Sequence, residues 1–447
     1  MDDLRTDDDG KVTTAPDESK FMTLREWTEA DIEHSHGWRT NAKSEFEFVA
    51  GPGQWSEEDR QHLADEERPV LTFNRTLKYV RAISGIEANN RHETTFMPRE
   101  LENAGEVKAN EVLTSGSNWM GQQCNADRHQ SRAFRDTIIC GMGWTEATLD
   151  YDDDPKGQYV ETRADPLEMF WDRNARDQNL MDAKRRGRVR KMLLSEARNL
   201  IPGVTDSKDL LDSDLDAYWA AGAFNYTSAT TKTREQKELR EENQVKDDPK
   251  REVHIVQIQW WEFESYYYAF DPTTGKPGAM DDATFKAASE QYLAQTGMEL
   301  PGTKLRRKKY MQAFLGNKIL QMGPCPRPDG FTLNCMTWEP DDVSGTWFGI
   351  VRILRDPQLW SNKWISQVMH MVNTTAKGGV IVEEDAMTDA REFQKNYAKP
   401  QAVSIVKSGA ISKGKIMGKP GAALTQGVMT LMEIAQQAFT DVTGMNL

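Results

Sequence analysis

DDATFKAASEQYLAQTG at 281–297, LRRKKYMQAFLGNKILQM at 305–322 and DPQLWSNKWISQVMHMVNTTAKGG at 356–379 decide the fold class. In the first stretch Asp281 or Asp282 supplies a helix N-cap and Gly297 a left-handed stop, for a helix of roughly 24 Å. In the second, two extended runs, Leu305–Leu315 and Lys318–Met322, meet at Gly316-Asn317. In the third, Asp356 caps a helix with Pro357 in its first position, and Gly378-Gly379 ends it after about 31 Å. Its apolar stripe is Trp360, Trp364, Val368, Met371 and Val372, with Lys363 and His370 elsewhere on its surface. A β insert between two helices that pack together must project from one end of the pair. The pattern therefore predicts a stalk with a small cap.

Outward from this core, Pro324–Gly330 reads as irregular and Phe331–Trp338 as extended. Glu252–Phe270 is a long strand, and Lys184–Lys191 is a basic strand that reads as a salt-bridged edge. Trp144–Tyr151 and Gln158–Arg163 form a hairpin. Helices are predicted over 23–48, from Ser56 (an N-cap facing Asp59), over 77–87, over 106–135, over 234–243 and over 424–442. Residues 1–20 are acidic, nearly devoid of apolar side chains, and predicted to be disordered.

The chain has 447 residues, 56 Lys and Arg against 70 Asp and Glu, a net charge of −14 and a mean hydropathy of −0.71. That length predicts two to four packing units. A uniformly basic nucleic-acid coat protein is excluded. No run of about 18 apolar residues occurs, so no transmembrane helix is expected. The polar start Met1-Asp2-Asp3-Leu4 does not read as a secretory signal. The apolar fraction of 38% is low for a compact domain, which points to burial against other subunits. Charge is segregated: residues 1–30 hold nine acids and four bases, net −5, whereas 391–447 hold seven bases and three acids, net +4.

Few motifs carry chemistry. Asp150, Asp152, Asp154 and Glu161 fall at calcium-loop positions, but Pro155 stands where Gly is needed, so a hairpin tip is the better reading. None of Cys124, Cys140, Cys325 and Cys335 forms a C-x-x-C pair, and free thiols are expected. His34 and His36 lack further metal ligands nearby. No nucleophile–base pair, Walker loop or G-x-G-x-x-G appears, so neither an enzyme nor a cofactor is indicated. The run Lys304, Arg306, Arg307, Lys308 and Lys309 is either a solvated strand face or a surface for an acidic partner.

RPVLTFNR (68–75) and VRAISGIEANNR (80–91) resemble the opening of large portal proteins from short-tailed bacteriophages. The aromatic, acidic stretch Asp165-Pro166 to Asp182-Ala183, the basic RRKKY (306–310), and Gly349–Arg352 with Asp356-Pro357-Gln358 are similar to later parts of the same family, in family order from about residue 50 to 447. The resemblance implies an α+β portal-protein fold: a wing with a two-helix stem and a small β-rich clip, ring-forming, in the family a dodecamer. The partition it suggests is a flexible tail 1–22, wing 23–280, first stem helix 281–297, clip 298–345, second stem helix 346–377, channel loop and return 378–423, and a last wing helix 424–447. Large members continue into a crown past this point.

By the same resemblance the protein sits at one capsid vertex of the virion, is assembled in the bacterial cytoplasm, and is not an enzyme. It conducts double-stranded DNA during packaging and ejection. Its partners would be further copies of itself, non-specifically held DNA, the terminase large subunit, capsid and scaffolding proteins, and tail adaptors, with no membrane. DNA that must slide cannot be gripped, which a sparse set of lysines in an acidic protein satisfies. Lys363, Lys377, Lys395, Lys399, Lys407, Lys413, Lys415 and Lys419 are the channel candidates. Lys304, Arg306, Arg307, Lys308 and Lys309 are the clip docking candidates. The rival readings are an oligomeric adaptor without a channel and a metal-dependent DNA-processing enzyme.

Overall fold

The computed structural model describes residues 16–445 except 67, 92–93, 99–103, 152–153, 202–203, 205–251, 271–275, 377–378, 388, 390, 392, 394–404 and 420–425. The expected helix at 234–243 and the expected tail as far as residue 15 lie outside the described residues, whereas residues 16–22, expected to belong to that flexible tail, are helical as the first turns of Pro16–Ala50. Helices are α1 (Pro16–Ala50), α2 (Glu57–Asp65), α3 (Thr76–Asn89), α4 (Ala104–Gln123), α5 (Ala126–Cys140), α6 (Leu194–Leu200), α7 (Asp282–Thr296), α8 (Ile350–Ala376) and α9 (Gln426–Thr443). Strands are β1 (Met142–Asp150), β2 (Gln158–Ala164), β3 (Met169–Trp171), β4 (Arg185–Leu193), β5 (Glu252–Phe270), β6 (Pro277–Met280), β7 (Gly302–Leu315), β8 (Ile319–Pro324), β9 (Leu333–Thr337), β10 (Glu339–Asp341), β11 (Thr346–Phe348), β12 (Gly379–Val382) and β13 (Ile416–Lys419). The mixture is α+β. Contacts divide it into one unit of residues up to 43 with 84–349, and another of 44–83 with 350–447.

The first unit is built on β5. Its period-2 pattern sends Val256, Ile258 and Trp260 to one face, against Leu24 and Ile32 of α1, and Val253 and Ile255 to the other, against Leu194, Ala197 and Ile201. The sheet runs β3-β4-β5-β7-β8, with β6 paired to the end of β5. A second sheet, β2-β1-β9, lies under α5. Here Gly143 is required: a Cβ would collide with the Ala133 carbonyl and the Thr137 hydroxyl of α5. Buried charge is paired. Arg185 of β4 reaches Asp31 of α1 at 2.8 Å and Asp172 at 3.0 Å.

Several expectations are corrected. The helix over 106–135 is two helices, because Asn125 takes a left-handed φ of 51°, a conformation Asn tolerates. The basic strand is not an edge: β4 lies between β3 and β5. The long helix does not start at Pro357. It starts at Ile350, with Pro357 inside, because Val351 and Leu354 are fully buried and hold the preceding two turns. Gly297 does stop α7, at φ 69°, although the N-cap Asp281 makes no side-chain capping bond. Ser56 Oγ accepts the Asp59 amide at 3.0 Å, as the sequence predicts. None of the four cysteines is in a disulfide.

In the second unit α8 packs on α9, and Tyr79 of α3 stacks on Phe439 of α9 with centroids 5.8 Å apart. α8 buries a polar row: Gln358, Ser361, Asn362 and Ser366 are all at most 1% exposed. That row holds the extended segment leading into α3. Ser366 Oγ accepts the Leu71 amide at 3.2 Å, Asn362 Oδ1 the Phe73 amide at 3.1 Å, and Gln358 Oε1 the Arg75 amide at 2.9 Å.

Candidate functional site

The stripe read from the sequence as the apolar face of α8 is turned away from this polar contact. Gln358, Asn362 and Ser366 recur every four residues on one side of the helix. Ile353, Trp360, Trp364 and Met371, spaced seven, four and seven residues apart, fall on the opposite side. Ile353 is 41% exposed and Trp360 54% exposed. Trp360 and Trp364 stack with centroids 6.1 Å apart. With Trp55, His62 and Leu63 they line a groove of about 310 Å³ between α2 and α8. Lys363 sits at its rim, 3.3 Å from Asp59 Oδ1 and over the Trp360 ring at 5.9 Å.

The other channel candidates follow α8. β12 and β13 pair from Gly379↔Lys419 to Val382↔Ile416. At the Val382↔Ile416 end of this pair Lys415 Nζ lies 2.7 Å from Asp385 Oδ2 and 3.1 Å from Glu383 Oε2. The hydrogen bond between Lys415 and Asp385 holds the lysine above, and the aspartate below, their ordinary pKa ranges. Lys407 and Lys413 are exposed, the Lys407 amide being bonded to the Ala386 carbonyl at 3.0 Å. Lys419 is the last residue of β13. Lys377, Lys395 and Lys399 lie outside the described residues.

The clip candidates form a ribbon in the first unit. β7 pairs with β5 from Val256↔Leu315 to Ala269↔Gly302, while β8 covers only Met311–Leu315. Residues 302–309 are all exposed. On one side of the ribbon Glu264 accepts from Lys309 at 2.7 Å and Arg307 at 2.9 Å. These two bonds hold the carboxyl below its usual range. Lys304, Arg306 and Lys308 alternate onto the other side. Lys308 lies 4.3 Å from the Trp261 ring centroid and Lys304 5.4 Å from that of Tyr267. The charge cluster is therefore brought together as the sequence suggested, but split between two chemically different faces.

The family described as phage P22-like portal protein matches residues 25–447. The chain belongs to that family. No curated protein matches it. The portal family is a structural one, whose members associate with themselves and with capsid, terminase and tail components as part of the virion. Among the described residues of this portal-family chain, no helix is long and apolar enough to cross a membrane.

Of the calcium-loop positions read in the sequence, Asp152 lies outside the described residues. Glu161 is on β2, where its carboxylate accepts from Gln130 Nε2 at 3.0 Å and from the Tyr159 hydroxyl at 3.3 Å. Sequence reasoning missed the polar row Gln358, Asn362 and Ser366. Its signal is an amide or hydroxyl side chain every fourth residue of a helix, together with an extended segment fixed by Pro69.

Proposed function

We propose that this portal protein assembles into a ring that conducts double-stranded DNA and docks packaging and tail proteins. The observation that supports assembly best is the reversed amphipathicity of α8. A helix that buries Gln358, Asn362 and Ser366 inside the chain and leaves Ile353 and Trp360 exposed has part of its apolar face available to another copy. In this reading α7 and α8 (281–297 and 346–377) are the stem, 298–345 the clip, 23–280 the wing, 378–423 the channel loop and its return, and 424–447 the last wing helix. Lys363, Lys377, Lys395, Lys399, Lys407, Lys413, Lys415 and Lys419 face the bore. The pairing of Lys415 with two carboxylates supports a conduit that attracts DNA weakly.

Negative-stain imaging and sedimentation of the purified protein test this. A ring with a hole of duplex width is expected, and Trp360→Glu with Trp364→Glu should release folded monomers. A compact wild-type monomer at micromolar concentration overturns the reading. The clip assignment predicts that Arg306→Glu with Lys308→Glu abolishes DNA packaging and leaves rings intact. Normal packaging by that variant would refute it.

A further inference from the structure

We propose that the open edge of β7, from Lys304 to Lys308, takes up an acidic extended segment of a partner protein as an added β-strand. This rests on the docking role given to the clip above and names the chemistry of the partner and the way it is held. β5 pairs with β7 along the whole strand, from Val256↔Leu315 to Ala269↔Gly302. β8 pairs with the other edge of β7 only from Met311 to Leu315, and the chain then turns away through the bends and turns of residues 326–330. Among the described residues no strand continues the line of β8 along 303–309. Residues 302–309 are all exposed, so the edge can be reached.

One bond fixes the phase of the backbone. The Cys325 amide donates to the Tyr310 carbonyl at 2.9 Å. Even-numbered residues of β7 therefore turn N–H and C=O toward the β8 side, and odd-numbered ones toward β5. Pro324 agrees: it stands opposite Met311, at a pair that exchanges no backbone hydrogen bond and needs no N–H. Lys304, Arg306 and Lys308 thus present three donors and three acceptors along about 13 Å of edge.

Side chains decide what the added strand must carry. β7 holds five cations and no carboxylate. Like charge keeps two β7 edges apart. An antiparallel strand in line with β8 would set its first, third and fifth residues opposite Lys308, Arg306 and Lys304, on one face. Carboxylates at those positions meet three cations, of which Lys304 is shared with Asp282 of α7 at 3.8 Å. The fourth residue lies opposite Leu305, which is 40% exposed, and an apolar side chain suits it. On the other face Arg307 and Lys309 are already engaged by Glu264, so the second residue needs no charge. Backbone bonds supply the affinity and the alternating acids the specificity.

The test uses the full chain in its assembled state at low salt and a labelled, end-blocked peptide, Glu-Thr-Glu-Val-Glu-Thr. The peptide should bind and slow amide exchange at Lys304, Arg306 and Lys308 by about tenfold or more, leaving the Arg307 and Lys309 amides, bonded to β5, unchanged. Methylating the three glutamate amides, which point at β7, should weaken binding by about tenfold or more. Arg306→Glu with Lys308→Glu should lose this peptide and take up Lys-Thr-Lys-Val-Glu-Thr, which restores the charge pairing. Equal binding of the methylated and unmethylated peptides overturns the proposal, because attraction between charges alone would then suffice. So does slow exchange at the three amides without any peptide, which would place a neighbouring copy on the edge, and so does absence of binding at about 1 mM. Normal packaging by the Arg306→Glu, Lys308→Glu variant would remove the docking role while leaving the peptide results intact, so the two failures are distinguishable.

Discussion

Asn362 of α8 accepts the Phe73 amide on its Oδ1 at 3.1 Å and donates its Nδ2 to Gln54 Oε1 at 2.9 Å. It is the middle rung of a ladder in which a helix replaces a neighbouring strand. Four helical residues rise about 6.0 Å and two strand residues about 6.6 Å, so acceptors at 358, 362 and 366 keep step with amides at 75, 73 and 71. Each rung gives a backbone donor of the extended segment a side-chain acceptor on α8. Gln358 closes the lower end by also donating to the Phe73 carbonyl at 2.8 Å.

Asn362→Leu should therefore destabilise the protein by about 2 kcal/mol, because it leaves the Phe73 amide and Gln54 Oε1 without the bonds that Asn362 makes to them. The measurement is thermal unfolding, paired with hydrogen exchange at Phe73. Exchange there should accelerate, while exchange in β5, in the other unit, stays slow. An unchanged Phe73 amide would show that the ladder does not hold the segment.

Glu45 gives a pH dependence. Its side chain is 4% exposed, with Arg352 at 3.7 Å, and burial pushes its carboxyl up to about 7 from 4.5 against the opposing pull of Arg352 and Arg355. The native state thus binds a proton that the unfolded chain has released between about pH 4.5 and 7. Glu45 consequently favours folding most below about pH 4.5, and that contribution is lost as pH rises through about 7, by up to roughly 3 kcal/mol. Glu45→Gln should flatten this slope and raise the melting temperature at pH 8, leaving it little changed at pH 5. Parallel pH profiles for variant and wild type would refute the assignment.

Arg185 bridges Asp31 and Asp172 inside the first unit. Burial raises the pKa of Asp31, and the Arg185 hydrogen bond opposes that shift. Arg185→Met should cost roughly 3–5 kcal/mol, since it strands two buried carboxylates. Replacing Asp31 and Asp172 by asparagine in the same background should recover part of the loss. A double-mutant cycle with no coupling between the sites would contradict the shared cluster.

Local signals were legible where one residue decides the outcome. Gly297 stops α7, Ser56 starts α2, and the alternation in Glu252–Phe270 fixes both faces of the central strand. The start of α8 was not legible, because Asp356-Pro357 satisfies a start rule that burial of Val351 and Leu354 overrides. The orientation of α8 was hidden for a related reason. Periodicity reveals that a helix has two faces but not which one the chain itself covers, and here a polar row outcompetes Trp360 and Trp364. The clip cations were legible as a cluster. Their division by Glu264 depends on β-pairing 43 to 45 residues apart in sequence, which a linear reading does not reach.

Gly143 tests the closeness of α5 to β1. Its missing Cβ lets the Ala133 carbonyl and the Thr137 hydroxyl approach the strand directly, and Thr137 Oγ1 already donates to that carbonyl at 2.9 Å. Alanine at 143 must push helix and strand apart, because the colliding atom is backbone and cannot rotate away. Overpacking of this kind costs about 1–3 kcal/mol. The loss should be accompanied by faster exchange in β1, where Trp144 is fully buried. Gly143→Ala with a wild-type melting temperature would mean that α5 and β1 stand further apart than these contacts allow.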